Sequence, residues 1–319
     1  MSIIEQAERR LEQLRRSGIE LPGALGSTEA APAEAKGKGL PAMAVHVAEE
    51  GRNLRPGRPP APRVEQPAGA PPGALTSKQV VIDLARLARA GYVTPEAPRS
   101  QISEEFRVVK RPLLINLEGK TSPVVENASC IMVTSSLPGE GKTFVAINLA
   151  ISLAMELDTS VLLVDADVSR PSILSRLGVA PSPGLLDVLA DAAVNLNDVL
   201  LRTNVERLSI LPAGAPRGRA TELLASDAMN RLLDEMATRY ADRIIVFDAP
   251  PLLPSTESRV LASRMGQIVF VVEAETTPQK SVSRALATIE TCPVVMPLLN
   301  KVSRSEVGFY YGYYGPVEG

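Results

Sequence analysis

A glycine-rich segment carries the strongest chemical signal in this sequence. It lies between an apolar run that ends at Ser135 and an apolar stretch that begins at Phe144. Small residues let backbone N–H groups approach a phosphate chain, and the amino end of a following helix adds a positive dipole. Lys142 is expected to neutralise the β- and γ-phosphates of a nucleotide, and Thr143 to bind Mg²⁺. The segment predicts a P-loop, with nucleotide contacts from Ser136, Pro138, Gly139, Glu140, Gly141, Lys142, Thr143 and Phe144.

Three aspartates stand at the ends of apolar strands and extend this site. Asp165 and Asp167 follow the run 161–164, and Asp248 follows the run 244–247. In an open parallel sheet, ligands bind beyond the carboxyl ends of the strands. Carboxylates at that edge, beside a P-loop, predict an Mg²⁺ site and a proton acceptor. Their positions alone leave open which of the three would take the proton.

The composition excludes several other kinds of chemistry. His46 is the only histidine, so a Ser-His-Asp triad or a histidine-rich metal site would depend on that one ring. Cys130 and Cys292 are the only cysteines, too few for a disulfide framework or a four-thiolate zinc site. A reducing, cytoplasmic compartment is therefore expected. With 34 basic and 36 acidic side chains, the net charge of −2 does not indicate a nucleic-acid partner.

The elements that must position these residues follow from hydrophobic periodicity. Short apolar runs alternate with helical stretches from about residue 103 onward. This alternation is typical of βαβ units, in which helices cover both faces of a mostly parallel sheet. We therefore predict an α/β, doubly wound fold of the P-loop NTPase class, with a helix at 144–155. The predicted strands are Cys130–Ser135, Val161–Val164, Leu208–Leu211, Ile244–Phe247, Ile268–Val272 and Val294–Leu299.

The 319 residues divide into regions of different composition. The predicted regions are an amphipathic helix at 1–18, a disordered Pro/Ala-rich linker at 19–76, a short helix and connection at 77–102, a P-loop domain at 103–306 and a tyrosine-rich tail at 307–319. The short helix is predicted to run roughly from Lys78 to Ala90, with Ser77 as its N-cap. The longest apolar run, about 12 residues, is shorter than the roughly 20 that cross a bilayer, so no transmembrane segment is expected.

Residues 103–314 resemble the cytoplasmic catalytic domain of the bacterial tyrosine kinases that control capsular and exopolysaccharide synthesis. The resemblance rests on the P-loop, on Asp165, Asp167 and Asp248, and on the C-terminal tyrosines. It implies an ATP- and Mg²⁺-dependent autokinase that phosphorylates its own tail in trans and regulates polysaccharide chain length, polymerisation or export. Asp165 would be the base, and Thr143, Asp167 and Asp248 would hold Mg²⁺. The implied acceptors are Tyr310, Tyr311, Tyr313 and Tyr314.

The same resemblance implies partners. Identical subunits would form a ring through a contact motif at Glu104, Arg107 and Lys110, where Lys110 replaces the family's arginine and loses its bidentate fork. A membrane-embedded polysaccharide chain-length determinant, or co-polymerase, would activate the kinase and hold it at the inner membrane. A cognate phosphotyrosine phosphatase would reverse the reaction. The most similar branch is the stand-alone autokinases of exosortase-linked exopolysaccharide systems.

Two other functions share the predicted fold. A switch ATPase of the partition or septum-positioning type would carry a signature lysine near the start of the P-loop, where this chain has Leu137. A non-catalytic adaptor that binds ATP and reports on a polysaccharide-export complex would need no phosphorylated tail. The mass of the purified protein distinguishes both from an autokinase, because an autokinase adds phosphates to itself.

Overall fold

Strands and helices alternate through residues 78–119, 124–216, 218–239 and 243–303, which this computed structural model describes. The strands are β1 (Lys78–Gln79), β2 (Cys130–Ser135), β3 (Ser160–Asp165), β4 (Leu201–Arg202), β5 (Leu208–Leu211), β6 (Arg243–Asp248), β7 (Gln267–Glu273) and β8 (Val294–Asn300). The helices are α1 (Leu84–Arg89), α2 (Gln101–Leu117), α3 (Lys142–Ala154), α4 (Ile173–Leu177), α5 (Leu185–Ala190), α6 (Leu196–Val199), α7 (Ala220–Leu224), α8 (Asp227–Arg239), α9 (Thr256–Ala262) and α10 (Gln279–Leu286). The predicted N-terminal helix, linker and tyrosine tail lie outside the described residues.

The described strands form one sheet in the order β1-β4-β5-β3-β6-β2-β7-β8. Neighbouring strands are parallel, except that β4 and β5 pair antiparallel. The register of β3 on β6 places Asp165 opposite Asp248. Because the carboxyl ends of parallel strands meet at one edge, β2, β3 and β6 bring the phosphate loop and the aspartates together. The predicted doubly wound α/β sheet is confirmed.

Apolar side chains cover both faces of the central strands. In β2, Met132 packs into the hydrophobic cluster on one face, while Ile131 and Val133 pack into the cluster on the other. This two-sided burial is typical of a parallel sheet covered by helices. Helix α3 is buried along most of its length, from Val145 to Ala154. Burial of each aliphatic side chain contributes about 1.5–3 kcal/mol to folding stability. This burial holds α3 against the sheet, with its amino end at the sheet edge.

The prediction for the short helix is wrong at its start. Lys78 and Gln79 form β1, which pairs with β4, and α1 begins only at Leu84. The N-cap is Asp83, whose carboxylate accepts a hydrogen bond from the Arg86 N–H over 2.8 Å. Pairing at the sheet edge holds the first residues of the predicted helix in an extended conformation, and the cap moves to the next residue able to accept such a bond.

Candidate active site

Two glycines shape the phosphate loop between β2 and α3. Gly139 and Gly141 have φ angles of 94° and 96°, in the left-handed region that other residues rarely adopt. Gly141 also lies close to the rest of the chain, because a Cβ there would collide with Asn300 Nδ2. Helix α3 begins at Lys142, immediately after this turn. Its first N–H groups have no partners within the helix and are available to a phosphate.

A cavity of about 490 Å³ opens beside this loop. Its volume lies in the range of small-molecule sites, so it can hold a nucleotide. Part of the wall comes from the chain after β6, including Pro250, and from the start of α9, including Glu257. The predicted site residues that line it are Pro138, Gly139, Gly141, Lys142, Thr143 and Asp167.

Lys142 stands between two of the predicted carboxylates. Its Nζ donates a hydrogen bond to Asp167 Oδ2 over 2.5 Å and lies 3.7 Å from Asp248 Oδ1. The side chains of Lys142, Asp167 and Asp248 are 12%, 7% and 0% exposed. Charges this well shielded from water interact strongly. A phosphate chain entering the cavity would compete with Asp167 for the ammonium group.

Asp165 is buried beside this ion pair with one oxygen free. Its Oδ2 accepts hydrogen bonds of 3.1 Å from the N–H groups of Ser172 and Ile173, whereas its Oδ1 has no hydrogen-bond partner. Burial, and after it the negative charge of Asp248, raises the pKa of the Asp165 carboxyl to about 7, against the opposing hydrogen bond from Ile173. A carboxylate with such a pKa and a free oxygen is suited to accept a proton near neutral pH.

Asp248 provides the observation that fits a metal ion. It is fully buried, and neither of its carboxylate oxygens has a hydrogen-bond partner of ordinary geometry, although the Thr143 hydroxyl lies near enough to lower its pKa. Burial raises the pKa of its carboxyl to about 6, while the positive charge of Lys142 opposes this. Among the described residues, no group of three or more His, Cys, Asp or Glu side chains could hold a metal by itself. Mg²⁺ held by the predicted Thr143, Asp167 and Asp248 would complete its coordination with phosphate oxygens or water.

Comparison with known proteins agrees with this geometry. The AAA domain family matches residues 128–296, more than half of the chain. The tyrosine-protein kinase CpsD of Streptococcus agalactiae is 32% identical over 190 residues, which cover 58% of this chain and 81% of CpsD. The chain belongs to the bacterial tyrosine-protein kinases. The predicted enzyme class, protein-tyrosine kinase, is thereby confirmed.

Two further proteins are similar to this kinase. The succinoglycan biosynthesis transport protein ExoP of Rhizobium meliloti is 32% identical over 242 residues, which cover 74% of this chain and 30% of ExoP. The solved BceF tyrosine kinase domain has a TM-score of 0.55 at 26% identity, covering 69% of this chain and 87% of that domain. The kinase thus spans less than a third of ExoP, but most of CpsD and of the BceF domain.

Three residues predicted to contact the nucleotide do not line the cavity of the kinase. Ser136 is buried, and its hydroxyl has no hydrogen-bond partner. The Glu140 carboxylate accepts hydrogen bonds from the Leu137 N–H and the Thr277 hydroxyl, each 2.5 Å long. Phe144 packs against Tyr92, with ring centroids 4.9 Å apart. The Glu140 and Phe144 side chains therefore support the loop and its helix, and nucleotide contact by any of the three stays a prediction.

Two residues at the end of β8 support the same loop and were missed by the sequence analysis. Asn300 Nδ2 donates a hydrogen bond to the Glu140 carbonyl, and Lys301 Nζ donates one to the Gly139 carbonyl, each 2.8 Å long. Lys301 also forms an ion pair of 3.0 Å with Glu273 at the end of β7. Polar residues at the carboxyl ends of parallel strands were the signal that identified the aspartates. The same signal could have found Asn300 and Lys301, because β8 is parallel and ends at the same edge.

A further missed residue is Arg176, which lines the nucleotide cavity from α4. Its Nη1 donates a hydrogen bond of 3.3 Å to the Tyr92 hydroxyl. The positive charge of Arg176 also lowers the pKa of Asp248, although less than that of Lys142 does. A second cation is thus held in the wall of a site predicted to bind phosphates. Its spacing from the other motifs follows no pattern that would have identified it.

The structure separates the residues of the predicted subunit-contact motif. Glu104 and Arg107 form an ion pair of 2.5 Å on α2, with side chains 42% and 49% exposed. Lys110 is 5% exposed, and its Nζ donates a hydrogen bond of 2.6 Å to the Ser152 carbonyl near the end of α3 and pairs with Glu156 at 2.7 Å. Lys110 is therefore bonded within its own chain. A subunit contact through Glu104 and Arg107 stays a prediction.

The tyrosines of the tail that are predicted to accept phosphate, Tyr310, Tyr311, Tyr313 and Tyr314, lie outside the described residues. None of the described helices combines the length and the apolar character needed to cross a bilayer.

Proposed function

We propose that this kinase transfers the γ-phosphoryl group of ATP to tyrosines of its own C-terminal tail. The observation that carries the proposal is the position of Lys142, Thr143 and Asp167 in the wall of one cavity, with the buried carboxylates of Asp165 and Asp248 beside them. A fixed cation, a hydroxyl and carboxylates beside a glycine loop are the groups that phosphoryl transfer uses.

Asp165 is proposed as the base. Because a tyrosine hydroxyl has a pKa near 10, a neighbouring group must accept its proton during transfer. The N–H groups of Ser172 and Ile173 hold one oxygen of Asp165, which leaves Oδ1 for that proton. The tyrosyl oxygen bonds to the γ-phosphorus, the bond from that phosphorus to the bridging oxygen breaks, and ADP leaves. Lys142 and the loop N–H groups stabilise the charge on the transferred group.

Thr143, Asp167 and Asp248 are proposed to hold Mg²⁺. The ion would supply positive charge to the phosphate oxygens of ATP. Its charge would add to that of Lys142 beside the oxygens of Asp248, which are buried without a hydrogen-bond partner.

We further propose that transfer occurs in trans within a ring of identical subunits, and that it regulates exopolysaccharide chain length, polymerisation or export. The name of the relative ExoP, a succinoglycan biosynthesis transport protein, supports a polysaccharide role. A membrane-embedded co-polymerase would recruit and activate the cytoplasmic kinase, and a phosphotyrosine phosphatase would reset it. The proposed acceptors are Tyr310, Tyr311, Tyr313 and Tyr314.

Lys142→Met tests the assignment directly. The variant removes the cation that pairs with Asp167 and should abolish tail phosphorylation, while circular dichroism should show that the fold persists. Phosphopeptide mapping after incubation with Mg-ATP measures the outcome. Lys280→Met is the matched control, because Lys280 is exposed on α10 and lies outside the cavity.

A fully phosphorylated tail in Lys142→Met, with no other kinase present, would contradict the proposal. ATP hydrolysis by the unaltered protein without any phosphotyrosine would favour the switch ATPase instead. ATP binding with neither hydrolysis nor phosphotyrosine would favour the adaptor.

Recruitment is tested by cell fractionation. The kinase should sediment with membranes only in cells that contain the co-polymerase. Equal sedimentation in cells that lack it would favour direct binding to lipid.

A further inference from the structure

A second cavity, of about 310 Å³, lies at the end of the sheet away from the phosphate loop. Ser160 and Arg243, the first residues of β3 and β6, both line it. The last residues of these strands are Asp165 and Asp248, so the cavity lies about 17 Å along the strands from the active-site aspartates. The two cavities have no lining residue in common. This second cavity is called the arginine cavity below.

Positive charge dominates the arginine cavity. Arg202, Arg207 and Arg243 line it, the last of which has a partner of its own, and none of the described residues that line the cavity is acidic. Arg207 forms an ion pair with the Glu206 carboxylate, 3.8 Å from its Nε, but the Glu206 side chain is 88% exposed. Such an exposed ion pair is weak, because water and salt screen it. The cavity therefore favours an anion.

The arginines stand on a hydrogen-bonded frame. Strands β4 and β5 pair antiparallel, with Arg202 opposite Ser209. In the turn between them, the Thr203 hydroxyl donates hydrogen bonds of 3.1 Å and 3.0 Å to the carbonyls of Val205 and Leu208. This frame fixes the backbone from which Arg202 and Arg207 reach the cavity.

Arg207 is held in an unusual conformation within this turn. Its φ angle is 63°, in the left-handed region that residues other than glycine seldom adopt, and its Nη1 donates a hydrogen bond of 3.1 Å to the Glu156 carbonyl. Disfavoured backbone conformations concentrate at ligand sites, where the surrounding structure maintains them. The turn thus keeps one guanidinium group at the cavity without relying on a ligand.

We infer that the arginine cavity binds a phosphate monoester on an organic group. Guanidinium groups match phosphate oxygens in pairs, which makes arginine the usual choice for this anion. The cavity is also larger than a bare phosphate needs, and it offers the hydroxyls of Ser160 and Ser209 beside the charges. The monoester belongs either to a free phosphorylated metabolite or to a phosphotyrosine of the tail of another copy. The second source alone rests on the proposed autokinase function.

Calorimetric titrations at one fixed ionic strength test this inference. The probes are phenyl phosphate, a synthetic peptide of residues 304–319 phosphorylated at Tyr310, and the same peptide unmodified. The proteins are the unaltered chain, Arg202→Gln, Arg202→Lys, Lys142→Met and the control Arg89→Gln, which removes an exposed charge on α1 outside the arginine cavity. Arg202→Lys keeps the positive charge but loses the paired hydrogen bonds of the guanidinium group, so it replaces the glutamine variant in the test if that variant fails to fold.

Phenyl phosphate should bind the unaltered chain and Arg89→Gln equally, and Lys142→Met should still bind it through the arginine cavity. Arg202→Gln should weaken binding about tenfold or more, because the loss of hydrogen bonds to a charged group lowers affinity by about this factor. Arg202→Lys should weaken it by less, because the positive charge remains. A phosphopeptide that binds much more tightly than phenyl phosphate assigns the site to the tail. Equal affinities assign it to a free metabolite.

Loss of binding in Lys142→Met with full binding in Arg202→Gln would place the monoester in the active site and overturn the inference. Absence of binding by either phosphorylated probe would overturn it as well. Because the peptide is synthetic, these outcomes do not depend on whether the chain phosphorylates itself.

Discussion

Asp165→Asn separates the proposed catalytic role of a buried carboxylate from its effect on stability. Asparagine has nearly the same shape, and its side-chain oxygen can accept the same hydrogen bonds from the Ser172 and Ile173 N–H groups. It cannot ionise, however, and it cannot accept a proton as a carboxylate does. We expect the variant to lose tail phosphorylation while the protein becomes more stable above neutral pH.

The size of the stability gain follows from the pKa of the carboxyl. Asp165 is 1% exposed, and burial raises its pKa from an ordinary 3.8 to about 7. The folded protein therefore holds this proton more tightly than the unfolded chain, so the unaltered protein loses stability as the pH rises from about 4 to about 7. At 1.36 kcal/mol per pKa unit, the loss reaches about 4 kcal/mol above pH 7. The asparagine variant does not ionise and therefore does not lose this stability.

Thermal and urea unfolding at pH 4.5 and pH 8, in EDTA and without nucleotide, measure this difference. The variant should melt roughly 10 °C above the unaltered protein at pH 8 and much closer to it at pH 4.5. The control Asp158→Asn, at an exposed position, should change stability by less than about 0.5 kcal/mol at either pH. A folded Asp165→Asn protein that gains no stability at pH 8 would refute the raised pKa.

Other perturbations have equally definite outcomes. Lys110→Met should lower the free energy of unfolding in urea by about 1–3 kcal/mol, because the bonds to the Ser152 carbonyl and to Glu156 are lost; an unchanged urea midpoint would contradict this. Gly141→Ala should weaken ATP binding about tenfold or more in calorimetry, since its φ of 96° and the contact with Asn300 both oppose a Cβ; unweakened binding would show that the loop tolerates it. Light scattering should give a smaller oligomer for the phosphorylated protein than for a variant in which four tyrosines are changed to Phe, because phosphates add negative charge; equal masses would exclude the tail as an assembly switch. Those tyrosines are Tyr310, Tyr311, Tyr313 and Tyr314.

The strands were predictable because their burial is two-sided. Each central strand is a short apolar run, and none of the six predicted runs differs from the observed strand by more than one residue at either end. The two-residue strands β1 and β4 were not predicted, since two residues carry no periodicity. Their pairing depends on the position of the sheet edge, which only the folded chain defines. The helix predicted from Lys78 starts late for the same reason.

In the active site, sequence motifs predicted the phosphate loop and the aspartates, but not all of the residues that surround and support them. The phosphate loop and the three aspartates meet as expected, because each follows a parallel strand. Helical spacing could have corrected one prediction, since Lys110 shares a face of α2 with the buried Phe106 and Leu113. Arg176, in contrast, reaches the cavity from a five-residue helix whose direction depends on tertiary packing.

The hydrogen bond from Lys301 to the Gly139 carbonyl also sets a length scale for self-modification. Tyr310 follows Lys301 by nine residues and Tyr314 by thirteen, so their Cα atoms can move no farther than about 30 Å and about 45 Å from that point. A neighbouring subunit that modifies this tail in trans must therefore present its phosphate loop within that radius. A proposed ring is therefore excluded if Lys301 of one subunit is separated from Lys142 of the next by more than the tail can span.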